Sequence, residues 1–556
     1  MWLALLLSLV ALLFFLSPPR PIVGAFYVPG YPLVGNACQV LHNPSRVFLS
    51  WAQTCGHALF VIHLGRTPVL VVNSHADVHD LWLLHSSALG SRPTLHTFHN
   101  VVSAVHGLTV GSTPAGASYR RKKKTLSSEL SASKVQSKAL LGNAQREALL
   151  STNASSVQKL SSLDSGHESG FPPILSHIDV CSSECIAQLL SQPAETSLLL
   201  ETQYYVLSAA IRLTYGIVLD CHGRDASLAN TIIATENKII RMRSLVANYQ
   251  DYIPGLQSFP LRCMFDASAA KWRQQRDSYM HSLYQSFLVQ LHGGSFLANH
   301  SMLAHILRAK ASPMTLSESE LQSICLTMVS AGLDNSALTF DHLMGHFSHD
   351  YGQDMQERLW KELMLQSNGS LTAAWDAATY GTCSYAMALL HEALRFFSVL
   401  PLGLPRQTTK PARFRGLYIP ANTIVVMNNY AANHDPAAFE SPFEFFPDRW
   451  LDPNGNLITP NHFSFGAGSR KCAGSHLALK ELHTLLCRVV LLFRIKPPHD
   501  NRFKMCLDPF EGNSCPTGTS FEPKEFRIRL EPREGKECDE LRDRLRDYRI
   551  PQERAK

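Results

Sequence analysis

Ten consecutive residues, Phe465-Gly-Ala-Gly-Ser-Arg-Lys-Cys-Ala-Gly474, carry the densest chemistry in this 556-residue chain. They set one thiol, Cys472, among glycines and a guanidinium, just ahead of a helical pattern through Leu477, Leu479 and Leu482. The thiolate is the metal-binding form of cysteine, and a helix start favours it through free N–H groups and a positive dipole end. Gly468 and Gly474 let the backbone bend and approach a flat ligand. Arg470 supplies a cation for an acidic group on that ligand. A haem meets both needs, with iron for sulfur and propionates for the arginine. The competing reading is a buried structural cysteine in a glycine-rich turn, the usual state of a lone cysteine.

Phe465, Gly468, Arg470, Cys472 and Gly474 match, position by position, the haem-binding signature of the cytochrome P450 superfamily. The chain resembles that superfamily, and five specified positions in ten are hard to match by chance. The resemblance implies a single large haem domain, mostly α with a smaller β region. It makes Cys472 the iron ligand and puts Phe465, Gly468, Arg470 and Gly474 around haem b. Arg406, in Leu402-Gly-Leu-Pro-Arg406, resembles a further propionate contact. Many members also carry a tryptophan and a basic residue on a helix that meets a propionate. The stretch Thr113 to Lys124 has no tryptophan, which leaves Arg120 or Arg121 for that contact and Lys122 to Lys124 for a redox partner. A solvated basic helix face is the alternative.

Other elements must hold this loop in place. Glu392 and Arg395, three apart, share one helix face. Their apolar neighbours indicate burial, and a buried pair needs further partners. Arg449, in Pro447-Asp-Arg-Trp450, resembles the third member of the family's structural Glu/Arg/Arg cluster. Upstream, Leu321, Ile324, Cys325, Met328, Val329 and Gly332 recur at helical spacing. That helix contains Ala331-Gly-Leu-Asp-Asn-Ser336. The resemblance gives Asp334 and Asn335 the proton relay to dioxygen, and makes Gly332 the place where the helix thins to leave room for oxygen and substrate. Threonine is usual where Asn335 stands, and an amide has no hydroxyl to orient a proton-delivering water. Ser336 is turned away by about 100°. Two readings stay open: Asn335 organises water for ordinary monooxygenation, or a weaker relay alters coupling or permits an oxidative rearrangement.

For the substrate, three runs are similar to those of fungal phenylacetate hydroxylases: Arg92 to Ser103, Thr327 to Asp334, and Gly466 to Glu481. The first belongs in the family to the loop roofing the pocket, so Phe98, His99, Val101 and Val102 are candidate pocket residues beside Ala331. The last substrate loop resembles Pro516-Thr-Gly-Thr519, which adds Thr517. The resemblance implies a haem-thiolate monooxygenase that hydroxylates or epoxidises a small aromatic substrate in fungal secondary metabolism. A non-oxygenating coupling enzyme and a haem-binding sensor are the alternatives.

Composition agrees. Hydrophobic residues make up 45% and charged residues 17%, enough for a sizeable core, and a mild net charge of +6 does not imply a nucleic-acid partner. It suits docking to an acidic reductase surface. Gly466-Ala-Gly468 lacks the third glycine of a dinucleotide-binding fingerprint. Electrons must therefore come from outside, on the resemblance from an NADPH-cytochrome P450 reductase. Met1 to Leu16 is apolar and is followed by Pro18-Pro-Arg-Pro21. A full span needs about 20 apolar residues, and a cleaved signal is the rival reading. Arg20 favours a cytosolic body, so residues 1–22 read as an endoplasmic-reticulum membrane anchor and hinge. Residues 23–533 read as the haem domain with a Ser-rich insertion at 151–170, and 534–556 as a charged tail that frays or forms a surface helix. The sequons at Asn153, Asn299 and Asn368 are then unused. Thirteen scattered cysteines indicate neither a disulfide framework nor a cluster site. His342, His346 and His349 read as a surface helix face with little claim to a metal. Alternation in Pro411–Ile419 and Glu525–Leu530 predicts short strands.

Overall fold

The computed structural model describes residues 21–104, 107–136, 174–253, 256, 261–309 and 316–546. Residues 1–20 of the expected anchor, the insertion 151–170 and residues 547–556 of the tail lie outside them. Among the described residues no helix is long and apolar enough to cross a membrane.

The helices that frame the site are α1 (Ala117–Glu129), α2 (Ile174–Leu189), α3 (Leu199–Tyr215), α4 (Ala226–Arg241), α5 (Leu261–His292), α6 (Glu318–Phe347), α7 (Ser384–Phe397), α8 (Ser475–Leu492) and α9 (Lys536–Arg546). The longest-buried of them, α6, starts at a capping box: Ser317 accepts from the Glu320 N–H while the Glu320 carboxylate accepts from the Ser317 N–H. Apolar residues then recur on all its faces, the pattern of a helix enclosed by others. It packs chiefly on α3, and α2, α3, α6, α7 and α8 share the helical core.

A five-stranded sheet supplies the second layer: β1 (Phe26–Tyr27), β2 (Leu59–Leu64), β3 (Thr67–Val72), β4 (Arg406–Gln407) and β5 (Ile424–Met427), ordered β1-β2-β3-β5-β4. β2 and β3 form an antiparallel hairpin with Val61 opposite Leu70; β3 runs parallel to β5 with Val69 opposite Ile424. Arg406 pairs with Val425, which fixes its position at the sheet edge. The expected strand over Pro411–Ile419 is a hairpin, Ala412–Phe414 with Leu417–Ile419, turned at Arg415 and Gly416, both at positive φ. A strand at Ile528–Pro532 answers the second expectation.

One expectation changes. His342 and His346 are buried, not on a surface face: His342 stacks on Phe397, and His346 packs among Phe396, Phe397 and Phe445. The helix they ride is enclosed to its C-terminal end, so the imidazoles serve as core rings. The charged tail contains α9, whose Cys538, Leu541 and Leu545 sit in the helical core while its charges face outward. The Leu371 N–H donates to Glu537 at 2.6 Å across this contact.

Candidate active site

The cysteine loop is set by two left-handed glycines, Gly466 (φ +65°) and Gly468 (φ +61°). A Cβ on Gly468 would lie 2.2 Å from the Trp82 carbonyl oxygen, so backbone conformation and space both demand glycine. Gly474 differs from expectation: its φ is −94°, and a Cβ would meet nothing nearer than Leu130 Cδ1 at 3.8 Å. It leads straight into α8 and does not bend the chain. The loop is closed by the Cys472 N–H donating to the Phe465 carbonyl at 2.9 Å and the Lys471 N–H donating to that of Gly468 at 3.0 Å.

Cys472 keeps exposed surface although protein surrounds it closely enough that burial pushes its thiol pKa up. Both observations hold when the side chain lines an internal space. The Gly474 N–H and the charges of Lys123 and Lys471 pull the other way without prevailing. Burial thus favours the neutral thiol, and a cation at the sulfur would favour the thiolate.

Three arginines gather beside the loop. Arg92 donates to the carbonyls of Gly111, Leu404 and Pro405 at 2.9, 2.6 and 2.8 Å. Arg470 donates to Gly90 and Thr113 at 2.8 and 2.7 Å, and Arg406 to Ala467. Arg406 Nη1 and Arg470 Nη2 are buried without a partner. Burial lowers all three pKa values, that of Arg406 to about 9, and Arg470 further lowers both Arg92 and Arg406. Clustered buried cations with free donors call for an anion. The two carboxylates of a haem whose iron meets Cys472 fit that need.

On α1 the structure corrects the choice of contact. Arg120 is exposed, and Arg121 pairs with Glu320 at 2.6 Å. Tyr119 and Lys123, one turn apart on a single face, meet the loop instead. The Arg470 guanidinium lies 3.5 Å from the Tyr119 ring centroid, the Tyr119 hydroxyl donates to the Ser469 carbonyl at 3.0 Å, and Lys123 Nζ donates to that of Lys471.

Under the loop, Glu392 is fully buried and takes Arg395, Arg449, the Phe446 N–H (2.8 Å) and the Trp450 indole (3.0 Å). Arg395 spends its remaining donors on the carbonyls of Asn433, Pro442 and Glu444. Every member is satisfied, as a buried ionic cluster requires.

Across the core, Ala331 is exposed in mid-α6 while Met328, Val329 and Leu333 are buried, so this turn of the helix also opens onto internal space. At Gly332 a Cβ would lie 2.7 Å from Val206 Cγ1, so the glycine also lets α3 approach closely. Asn335 donates its amide back to the Ala331 carbonyl at 3.0 Å and leaves Oδ1 buried without a partner. Asp334 points elsewhere. With its amide turned to donate, Asn237 of α4 reaches Asp334 Oδ1 at 2.8 Å. Burial, with Glu522 and Glu236 nearby, pushes Asp334 up to about 7 against Arg243 and Arg241. The pair thus offers a carboxyl that exchanges protons near neutrality and an amide oxygen free to accept from water.

Of the roof loop, Phe98 and Val102 pack in a core cluster with Ile239 and Ala269. His99 is half-buried and lines a cleft of about 510 Å³ with Asn100, Leu108, Lys122 and Glu320. His99 accepts the Leu95 N–H on Nδ1, so Nε2 carries the proton that faces the Ser112 carbonyl. The Thr517 carbonyl accepts from the Ser244 hydroxyl at 2.7 Å, and Thr519 donates to Ile240, so the last loop lies against the end of α4.

A cytochrome P450 family model matches residues 151–521. The phenylacetate 2-hydroxylase of Emericella nidulans is 32% identical over 513 residues, covering 91% of this chain and 90% of that protein. The 3-hydroxyphenylacetate 6-hydroxylase of the same organism is 30% identical, covering 91% and 88%. The chain belongs to the cytochrome P450 family, and it is an oxidoreductase of the monooxygenase class.

Proposed function

We propose that this enzyme hydroxylates a small aromatic substrate over haem b held by Cys472. The carrying observation is the coincidence of an accessible Cys472 with two buried guanidiniums, Arg406 and Arg470, that each keep one nitrogen without a partner. When bound, the haem supplies dioxygen activation, favoured by the electron-rich thiolate. The chain supplies the rest. Arg92, Arg406 and Arg470 orient the propionates, and Tyr119 holds the Arg470 plane. Asn335 Oδ1 orients water at the opened turn of α6, and Asp334 returns protons from the α4 side. The Glu392 cluster keeps the cysteine loop rigid.

The names of the two Emericella relatives, a phenylacetate and a 3-hydroxyphenylacetate hydroxylase, support an aromatic acid as substrate. Electrons from NADPH through a cytochrome P450 reductase agree with the basic residues Arg120, Lys124 and Lys471, all exposed. The apolar run Met1 to Leu16 with Arg20 behind it supports anchoring in the endoplasmic-reticulum membrane with the catalytic body in the cytosol. The test is the reduced, carbon-monoxide-bound spectrum: a band at about 450 nm in the wild type and not in Cys472→Ala. Turnover of aromatic acids under labelled dioxygen then separates oxygen insertion from a coupling reaction.

A further inference from the structure

Arg243 stands just past α4, between the roof loop and the Thr517 loop. Its guanidinium carbon lies 4.8 Å from the Phe98 ring centroid, a contact that fixes the plane and leaves the N–H edges available. Nε is buried and has no hydrogen-bond partner among the described residues. Part of the side chain stays accessible although burial lowers its pKa to about 10, so Arg243 faces an internal space.

The carboxylates around it are engaged. Glu236 accepts from Arg276 at 2.7 and 2.5 Å and from the Tyr279 hydroxyl at 2.7 Å. Glu522 takes Arg241 at 2.5 Å. Asp334 takes Asn237, and with its pKa pushed to about 7 it is only partly charged at neutrality. Arg243 is therefore a buried cation without a full counter-charge, and burial of such a group demands one. The haem propionates have their own arginines, and Arg243 is the weakest of the three neighbouring cations that act on Arg92.

We propose that Arg243 is the specificity-determining residue of the substrate pocket, binding the carboxylate of an aryl carboxylic acid so that the ring is presented to the haem. This rests on the haem-thiolate reading above. It makes Phe98 a positioning residue that orients the guanidinium, not a wall of the pocket. It also links recognition to Asp334, because an anion on Arg243 removes the nearby charge that favours the Asp334 carboxylate.

The test is equilibrium titration of haem-loaded wild type, Arg243→Gln and Arg243→Lys with phenylacetate and with its methyl ester, read as the substrate-induced Soret shift. The wild type prefers the acid. Arg243→Gln weakens phenylacetate binding about tenfold or more, the value of a charge-assisted hydrogen bond, and leaves the ester unchanged; Arg243→Lys falls between. Equal weakening of both ligands, no weakening of the acid, a wild type that binds the ester as well as the acid or binds neither, or loss of haem from Arg243→Gln would each overturn the assignment. The carbon-monoxide band keeps the two claims apart: its absence from wild type sinks the haem-thiolate reading itself, while its presence in all three proteins shows an intact haem site.

Discussion

The guanidinium of Arg470 lies 3.5 Å from the centre of the Tyr119 ring on α1. Tyrosine keeps the cation–π face, and its hydroxyl, tied to the Ser469 carbonyl, pins the loop that carries Cys472. Tyr119→Ala removes an interaction of about 1 kcal/mol and speeds haem transfer to an acceptor protein roughly fivefold. Tyr119→Trp stays close to wild type, and Arg470→Gln loses haem faster than either. Equal transfer rates in all four proteins would refute this arrangement.

Gly468 admits no side chain. Alanine there must adopt φ +61° and place Cβ 2.2 Å from the Trp82 carbonyl. The backbone term alone is about 1–3 kcal/mol, and the clash adds displacement of the loop. Gly468→Ala yields folded protein with little or no band at about 450 nm, whereas Gly474→Ala, with 3.8 Å of clearance, retains it.

Asn335 holds the Ala331 carbonyl and offers only an amide oxygen beyond it. Asn335→Ala loses that acceptor, and product formed per NADPH consumed falls about tenfold, the scale of one good hydrogen bond. Asn335→Thr restores a hydroxyl and raises the ratio above wild type. Unchanged ratios in both would remove Asn335 from proton delivery.

Asp334 gives a pH signature. Its pKa is raised from 3.8 unfolded to about 7 folded, first by burial and then by Glu522 and Glu236. The folded state thus binds the proton that the unfolded state releases, and stability falls as pH rises between those values. Asp334→Asn removes a penalty of about 4 kcal/mol at pH above the folded value. The variant melts at a higher temperature than wild type at pH 8, and the gap narrows as pH falls below about 7. A gap that is constant across this range would contradict the shift.

Much of this was legible in the chain. The cysteine loop and the Glu392–Arg395 pair could be read because their geometry is local, a turn whose glycines sit in sequence and a three-residue spacing on a helix, whereas distant Arg449 came from the family resemblance alone. The contact on α1 was missed because a basic run, Arg120 to Lys124, presents every side of the helix equally; only packing selects Tyr119 and Lys123. The histidines of α6 were misplaced because a helix enclosed to its end shows no polar face against which to recognise burial. Gly332 shows the limit most plainly. Its lack of a side chain answers to Val206 on another helix, more than a hundred residues away, and no local pattern records that. Arg243 left no trace in sequence, since an unpaired cation is defined by what surrounds it.

The central sheet joins β3 near the start of the chain to β5 some 350 residues later, through the parallel register Val69 to Ile424. During synthesis the β2–β3 hairpin emerges first and must wait, one edge open, until most of the protein has been made. Long-range parallel pairing of this kind is slow, and an open strand edge is a site for association with other chains. Expression yield will therefore respond to translation speed and chaperone supply more than to the stability of the finished molecule. A strain that lengthens the interval between Val72 and Ile424 without added chaperone should accumulate aggregates nucleated at this hairpin.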